Sequence, residues 1–457
     1  MLGRRSLDAE LKRQSAYISL GLLALLLPFV PKWLIVLTVI LGTFAIFYIP
    51  KESFIFKAFA SDRDKESGIL LGPLKFSIAI LLLAILVVTL GFPVYILAAT
   101  VGLVAFGEGA ATLVNLLVSE NKSLFWSITL LVFGTLFGFI FGAWAMVNSG
   151  MSADNLGLMF FLTVIGTVTG ALLYTIVDEE NIAIPLGAGM TMWFFSSFTY
   201  TSIPGLPEIL VAVTFPLVIG AASYKLNAAD LSGALSGVLS GLLMILFGGI
   251  GWFVLLLVFF ILGTIFTKYK YAYKLSIGAA ESNEGSRGYR NVFGNCLVPL
   301  ILVVAYGAIG SFNVPYLGNV DRTIFIIGYL GAMATATADT LASEIGCTYR
   351  GQPRMITTLK KVKAGTDGAV SVLGEAAALF GSIAVALVAI PLGVVGPNVI
   401  AAFVIATLGG FLGTNIDSVL GSTLQQRKLL SNEGVNLFAT LSGAIISMGL
   451  YYLFYLH

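Results

Sequence analysis

The chain has 457 residues, 58% of them hydrophobic and only 11% charged, and its 25 Lys and Arg against 23 Asp and Glu leave a net charge of +2. With a mean hydropathy of +0.97, far from the roughly 25% charged residues of a soluble domain, the composition excludes a sizeable soluble domain and points to a polytopic membrane protein. One histidine, His457, and two isolated cysteines, Cys296 and Cys347, exclude His-based chemistry and a cysteine framework, so any metal must be held by oxygen.

Residues 1–15 (MLGRRSLDAELKRQS) are charged, and no small-residue cleavage site follows, so they read as a retained cytoplasmic tail. Apolar runs then recur near 16–31, 33–49, 76–91, 94–117, 124–147, 156–177, 183–199, 207–222, 231–249, 251–267, 292–311, 323–341, 368–389, 398–412 and 434–455. The expected fold is an all-α transmembrane bundle of about 15 spans. The first two and several others fall short of the ~20 residues a span needs, the length of a re-entrant or broken helix. With the N-terminus cytoplasmic, only Lys32 and Arg322 among the 25 Lys and Arg fall on the outer side, as the positive-inside rule asks. Loops 51–75, 268–291, 342–367 and 413–433 then share the cytoplasmic face.

Two halves, 1–223 and 224–457, are expected. "GEGAATLVN", with Glu108, is echoed by "TADTLASEIG", with Asp339, and "VDEENIAIP" by "GTNIDSVLG". This suggests a diverged internal duplication, a common design in transporters as well. The first copy lacks a counterpart of "ITTLKKVKAGTDG" and reads as a structural or lipid-binding partner.

The polar residues of the second half form four clusters. Asp339 follows the small-residue run GYLGAMATATA and has no basic residue within four positions; an ionisable group at a span end marks function more than a loop charge does. Ser343 lies one turn on, whereas Glu344 is about 140° away around a helix. The string "ITTLKKVKAGTDG" joins Thr357, Thr358, Lys360, Lys361 and Lys363 to a Gly365-Thr366-Asp367-Gly368 turn. Lysines and glycine amides suit phosphate oxygens, although this is not a Walker A sequence. In "ESNEGSRGYRNVFGN", which holds Glu281, Glu284 and Arg290, the residues Arg287, Asn291 and Asn295 repeat every four and form one polar stripe. Such an Asn can equally join helices. The fourth cluster sets Asn415 and Asp417 between Gly-rich turns, followed by Gln425 and Asn436.

In order, "KLNAADLSGALSGVLSGL", "GTIFTKYKYAYK", "ADTLASEIG", "ITTLKKVKAGTDGAVSVLG" and "IDSVLGSTLQ…GVN" make residues 224–457 resemble the integral-membrane family of domain of unknown function 92, whose plant members are phytyl-phosphate kinases. Through "GEGAATLV" and "ENIAIP" the first half is more weakly similar to phytol and dolichol kinases. Those typically carry Asp where this chain has Glu108, and the wider group includes phosphatidate cytidylyltransferases.

The resemblance implies phosphoryl transfer from a nucleoside triphosphate, CTP foremost, to an isoprenyl monophosphate, giving the diphosphate. Asp339 and Asp417, with Glu344 in reserve, would hold Mg²⁺. Lys360, Lys361, Thr357, Thr358, Gly365, Thr366, Asp367 and Gly368 would hold nucleotide phosphates, with Asp339, Lys360 and Lys361 as the catalytic residues. Arg287, Asn291 and Asn295 would hold the lipid phosphate. The expected partners are that nucleotide, that lipid and a prokaryotic cell membrane, with no nucleic acid. A transporter or flippase of an anionic lipid or metabolite, a CTP-dependent cytidylyltransferase and a purely structural membrane protein are the competing readings.

Overall fold

The computed structural model describes residues 4–60, 62–118, 122–198, 205–280, 285–311 and 321–455. Glu281 and Glu284 lie outside the described residues. All fifteen apolar segments are helical: α1 (Arg4–Gly21, continued as a 3-10 helix over Leu22–Phe29), α2 (Lys32–Phe47), α3 (Leu71–Thr89), α4 (Val94–Leu117), α5 (Ser123–Asn148), α6 (Ala153–Ile176), α7 (Glu180–Ser196), α8 (Leu206–Lys225), α9 (Leu231–Gly248), α10 (Ile250–Lys268), α11 (Tyr289–Ser311), α12 (Thr323–Gly346), α13 (Val372–Ala389), α14 (Val399–Gln425) and α15 (Asn432–Tyr455). Among the described residues twelve, α3–α6 and α8–α15, are long and apolar enough to cross a bilayer. The molecule is a polytopic helical membrane protein, and the three remaining segments are the short ones.

Contacts divide the chain into two compact units, Met1–Ile209 and Leu210–His457. In the first, α4 packs on α5, α6 on α7, and α7 on α3. In the second, α12 packs on α13, α14 on α15, and α15 on α11. The same pairing thus recurs in the same chain order, as a duplicated unit would give.

The second unit is built around α12, which touches α10, α11, α13, α14 and α15. Its small residues permit this, because close backbone approach supplies the van der Waals contact that joins helices in lipid. A Cβ on Gly331 of α12, or on Gly409 of α14, would collide with Ser447 of α15. Likewise Gly413 of α14 and Gly443 of α15 both abut Thr335 of α12. These glycines also correct a boundary read from sequence. The run 413–421 was expected to be a loop between Gly-rich turns, yet α14 continues through it to Gln425, its last turn π-helical over Gly421–Gln425. The glycines there serve helix approach instead of turning the chain, so Asn415 and Asp417 are helical. Similarly α12 runs to Gly346, five residues past its expected end, and α13 starts at Val372.

Sharp turns and caps set the helix ends. Gly249 joins α9 to α10 with φ +99°, a value open mainly to glycine. Asp230 caps α9 by accepting from the Gly233 N–H at 2.8 Å, and Ser371 caps α13 by accepting from Gly374 N–H at 3.1 Å.

Candidate functional site

Gly413 lies against Thr335, and one helical turn further on each helix stand Asp417 and Asp339. Because the turn below is so closely packed, the two carboxyls are brought to hydrogen-bonding range. Two carboxylates that close require a shared proton or a cation between them. Asp417 Oδ2 is buried and has no hydrogen-bond partner among the described residues.

Asp367 also lies near Asp417. It is delivered by the Gly365–Gly368 turn, which docks on the end of α14. Gly368 has φ +76°, and a Cβ there would collide with the Ser422 N–H and fall 2.5 Å from the Ser418 carbonyl. Gln426 Nε2 donates to the Asp367 carbonyl at 2.9 Å and fixes the turn. Although Asp367 is exposed as a residue, partial desolvation raises its carboxyl above the usual range.

A third side of the site comes from α11. Val298 of α11, Ala332 of α12 and Ala444 of α15 form one buried cluster. Seven residues along each helix, about 10 Å toward the face where α12 ends and α11 and α15 begin, stand Asn291, Asp339 and Leu437. A seven-residue step returns to nearly the same helix face, so Asn291 and Asp339 occupy facing surfaces at one level. Asn295, 2% exposed, donates to the Asn291 carbonyl at 3.0 Å. The side-chain oxygens of Asn291 and Asn295 are buried without partners, as is Asp417 Oδ2. Unsatisfied buried oxygens are expensive in a membrane protein unless a ligand or ion completes them.

The remaining candidates fall elsewhere. Thr357, Thr358, Lys360 and Lys361 form the exposed tip of a hairpin, with Leu359 left-handed at φ 58° and Met355 N–H donating to the Lys360 carbonyl at 2.9 Å. Its base, β1 (Arg354–Met355), pairs antiparallel with β2 (Ala369–Val370), directly after Gly368. Thr366 turns its hydroxyl inward to the Lys363 carbonyl at 2.8 Å. Glu344 does not join the aspartates, as its 140° offset around α12 requires. It is buried, accepting from the Thr267 hydroxyl at 2.8 Å and from Lys274. Arg287 is also turned away, stacked 5.0 Å over Phe259 and pressed on Gly263.

Two charged residues with specific partners escaped the sequence reading. Lys274 is fully buried and donates to the carbonyls of Phe266 (2.9 Å) and Thr267 (2.6 Å) as well as to Glu344, closing the end of α10. It was masked by two neighbouring basic residues, Lys268 and Lys270, that looked purely topological. Glu375, in the first turn of α13, accepts from Asn415 Nδ2 at 3.2 Å; the only signal was an acid at a helix start. In the first unit Glu108 ends a π-helical turn of α4 and faces Glu180, beside Tyr174 hydrogen-bonded to Asn115.

Among the described residues no three Asp, Glu, Cys or His side chains converge to cage a metal unaided. Two carboxylates with one unpartnered oxygen do fit Mg²⁺, which takes one or two carboxylates and completes its shell with water and substrate phosphates.

No solved structure matches the chain. Several curated proteins do. An uncharacterized membrane protein of Methanocaldococcus jannaschii is 31% identical over 246 residues, 54% of this chain and 95% of the relative. An uncharacterized membrane protein of Synechocystis is 33% identical over 212 residues, 45% of this chain and 77% of its own length. Protein VTE6, chloroplastic, of Arabidopsis thaliana is 32% identical over 239 residues, 51% of this chain and 66% of the relative. All three matches span about half of this chain, and the model of the family "Integral membrane protein DUF92" matches residues 214–444, which include every residue of the Asp339–Asp417 site. The chain belongs to the integral membrane protein family DUF92.

Proposed function

We propose that the second unit is a membrane-embedded lipid kinase that transfers a phosphoryl group from a nucleoside triphosphate, CTP first among the donors, to an isoprenyl monophosphate. The observation that carries this reading is the Asp339–Asp417 pair, set beside a glycine turn and three unpartnered buried oxygens. Family membership supports it, since plant members of the resembled family are phytyl-phosphate kinases. Phosphoryl transfer needs mainly positioning and charge neutralisation, and this arrangement offers both.

Asp339 and Asp417 would hold Mg²⁺, which when bound neutralises phosphate oxygens. The Gly365–Gly368 turn presents backbone amides to the nucleotide, and the hairpin tip with Thr357, Thr358, Lys360 and Lys361 folds over its phosphates. Asn291 and Asn295 flank the path of the acceptor phosphate toward Asp339, while Arg287, stacked over Phe259, takes no direct part. An oxygen of the acceptor monophosphate forms the new bond to the γ-phosphorus while the β–γ bridging bond breaks. The nucleoside diphosphate leaves with that electron pair. The acceptor is already anionic and requires no general base. The face carrying this site is cytoplasmic in this proposal, where nucleotides are available.

The test uses purified full-length protein in detergent with Mg²⁺, geranylgeranyl or phytyl monophosphate, and each of CTP, ATP, GTP and UTP. Mass spectrometry should find prenyl diphosphate and nucleoside diphosphate. Pyrophosphate with a nucleotidyl lipid would instead identify a cytidylyltransferase, and absence of turnover with every donor would defeat the kinase reading.

A further inference from the structure

The string "KYKYAYK", residues 268–274, sets three lysines among three tyrosines and takes no part in the centre described above. The lysines have different fates. Lys274 is buried on Glu344 and on the Phe266 and Thr267 carbonyls, so it is an internal anchor. Lys268 and Lys270 are exposed, and among the described residues neither takes part in an ion pair. Lys270 rests 5.1 Å from the centre of the Tyr269 ring, a contact that leaves its charge in place. Residues 268–280 contain no Asp or Glu, so the segment is a local positive patch.

The lipid-facing surface of α10 leads directly into this patch. Ile261, Ile265 and Tyr269 are all exposed and recur every four positions, forming one stripe. On a membrane-crossing helix such a stripe faces lipid. α10 ends at Lys268, and the chain turns at Lys270, left-handed at φ 50°, into a short helix over Tyr271–Ser276. Beyond the turn Tyr273, Leu275 and Ile277 are exposed as well. Water alone would leave Leu275, 63% exposed, uncovered, whereas the hydrocarbon core would strand two ammonium groups. The headgroup layer suits both, because tyrosine rings sit there and lysine stems lie along apolar surface with their charges in the polar zone. The patch is also held in shape by the protein itself. Ala279 N–H donates to the Lys274 carbonyl at 2.9 Å, and Gly365 packs against Ala279. A surface already ordered loses little freedom when a ligand settles on it.

We infer that residues 268–277 form a seat for the headgroups of anionic phospholipids, which Lys268 and Lys270 draw in preference to zwitterionic ones. A lysine near an anionic surface contributes about fivefold to association, so the two together contribute roughly 30-fold before salt screens them. A zwitterionic headgroup carries its own cation, which offsets the attraction of its phosphate. The seat is independent of the chemistry at Asp339 and goes beyond the kinase reading.

Full-length chains in phosphatidylcholine nanodiscs would receive a trace of phosphatidylglycerol, or of phosphatidylcholine, carrying a diazirine high on one acyl chain. Crosslinked peptides would be mapped by mass spectrometry. The expected result is labelling of residues 268–277 by phosphatidylglycerol roughly tenfold or more above phosphatidylcholine. The pair Lys268→Gln and Lys270→Gln should bring the two lipids to within about twofold of each other, as should molar salt on the parent, while Lys268→Arg with Lys270→Arg keeps the preference. The salt arm uses the parent alone, so it decides even where the glutamine pair fails to fold. Equal labelling by the two lipids, labelling confined to other segments, or a preference unmoved by both the glutamine pair and salt overturns the inference. An environment-sensitive fluorophore on Leu275→Cys supplies a second measurement, since both native cysteines are buried. Emission typical of the headgroup layer supports the seat, and emission typical of bulk water overturns it.

Discussion

Asp339 and Asp417 meet because of the turn beneath them, where Gly413 and Gly443 admit Thr335 between three helices. Asp339→Asn and Asp417→Asn keep the volume and remove the charge, so each is expected to lower transfer roughly 100-fold or more with little change in melting temperature. Activity within a few-fold of the parent for either would remove it from the proposed centre. Gly368→Ala should act differently. The alanine is strained at φ +76° and strikes α14, so the turn lifts away, costing about 1–3 kcal/mol and weakening nucleotide binding. Nucleotide KM and thermal melting measure the two effects. Asp367 adds a pH signature. Its carboxyl is raised in the folded protein by desolvation, so its protonated form favours the fold. That contribution is complete below the unfolded value of about 3.9 and is lost as pH rises through the raised one. Asp367→Asn should therefore flatten the melting profile above about pH 4, whereas an unchanged slope would assign the pH dependence to other groups.

At the level of elements, the membrane helices were readable because runs of apolar residues near 20 long have few other uses. Their ends were less so, since glycine stops a soluble helix but joins helices in lipid. That ambiguity hid the last three turns of α14 and put Asp417 in a loop. The offset of Glu344 from Asp339 could be worked out from helical geometry alone, but not the partner awaiting it. Lys274 and Glu344 form a buried pair whose remaining donors and acceptors are also satisfied. Removing one member leaves a lone buried charge, so Lys274→Met should cost about 3–5 kcal/mol. The double variant Lys274→Met with Glu344→Gln should recover part of that loss, and thermal unfolding in detergent would show whether it does. The Lys360 and Lys361 hairpin carries the opposite message: its charges were conspicuous in sequence, and it stands exposed on a two-residue strand pair.

For the whole molecule, the two units repeat one helix pairing, but their polar centres differ. The second has the aspartate pair and the glycine turn, and the first has Glu108 facing Glu180 without an equivalent of the Lys-Thr segment. Glu108→Gln is expected to leave prenyl-phosphate transfer within about threefold of the parent, as a surface or structural substitution would. A loss comparable to that of Asp339→Asn would give the first unit a share in the chemistry.

The central position of α12 also governs how the protein is made. Its most apolar 18-residue window has a mean hydropathy of 1.4, the lowest among the twelve long helices, and 72% of that window is buried. The helix that bears Asp339 is therefore the least suited to wait alone in lipid, and its covering helices α13, α14 and α15 are synthesised after it. Asp417 leaves the ribosome 78 residues behind Asp339, roughly 4–16 s later at ordinary elongation rates. During that interval an acidic, small-residue segment depends on the insertion machinery for shelter. Chains stopped before α14 should be retained there or degraded, so the proposed centre assembles near the end of biogenesis.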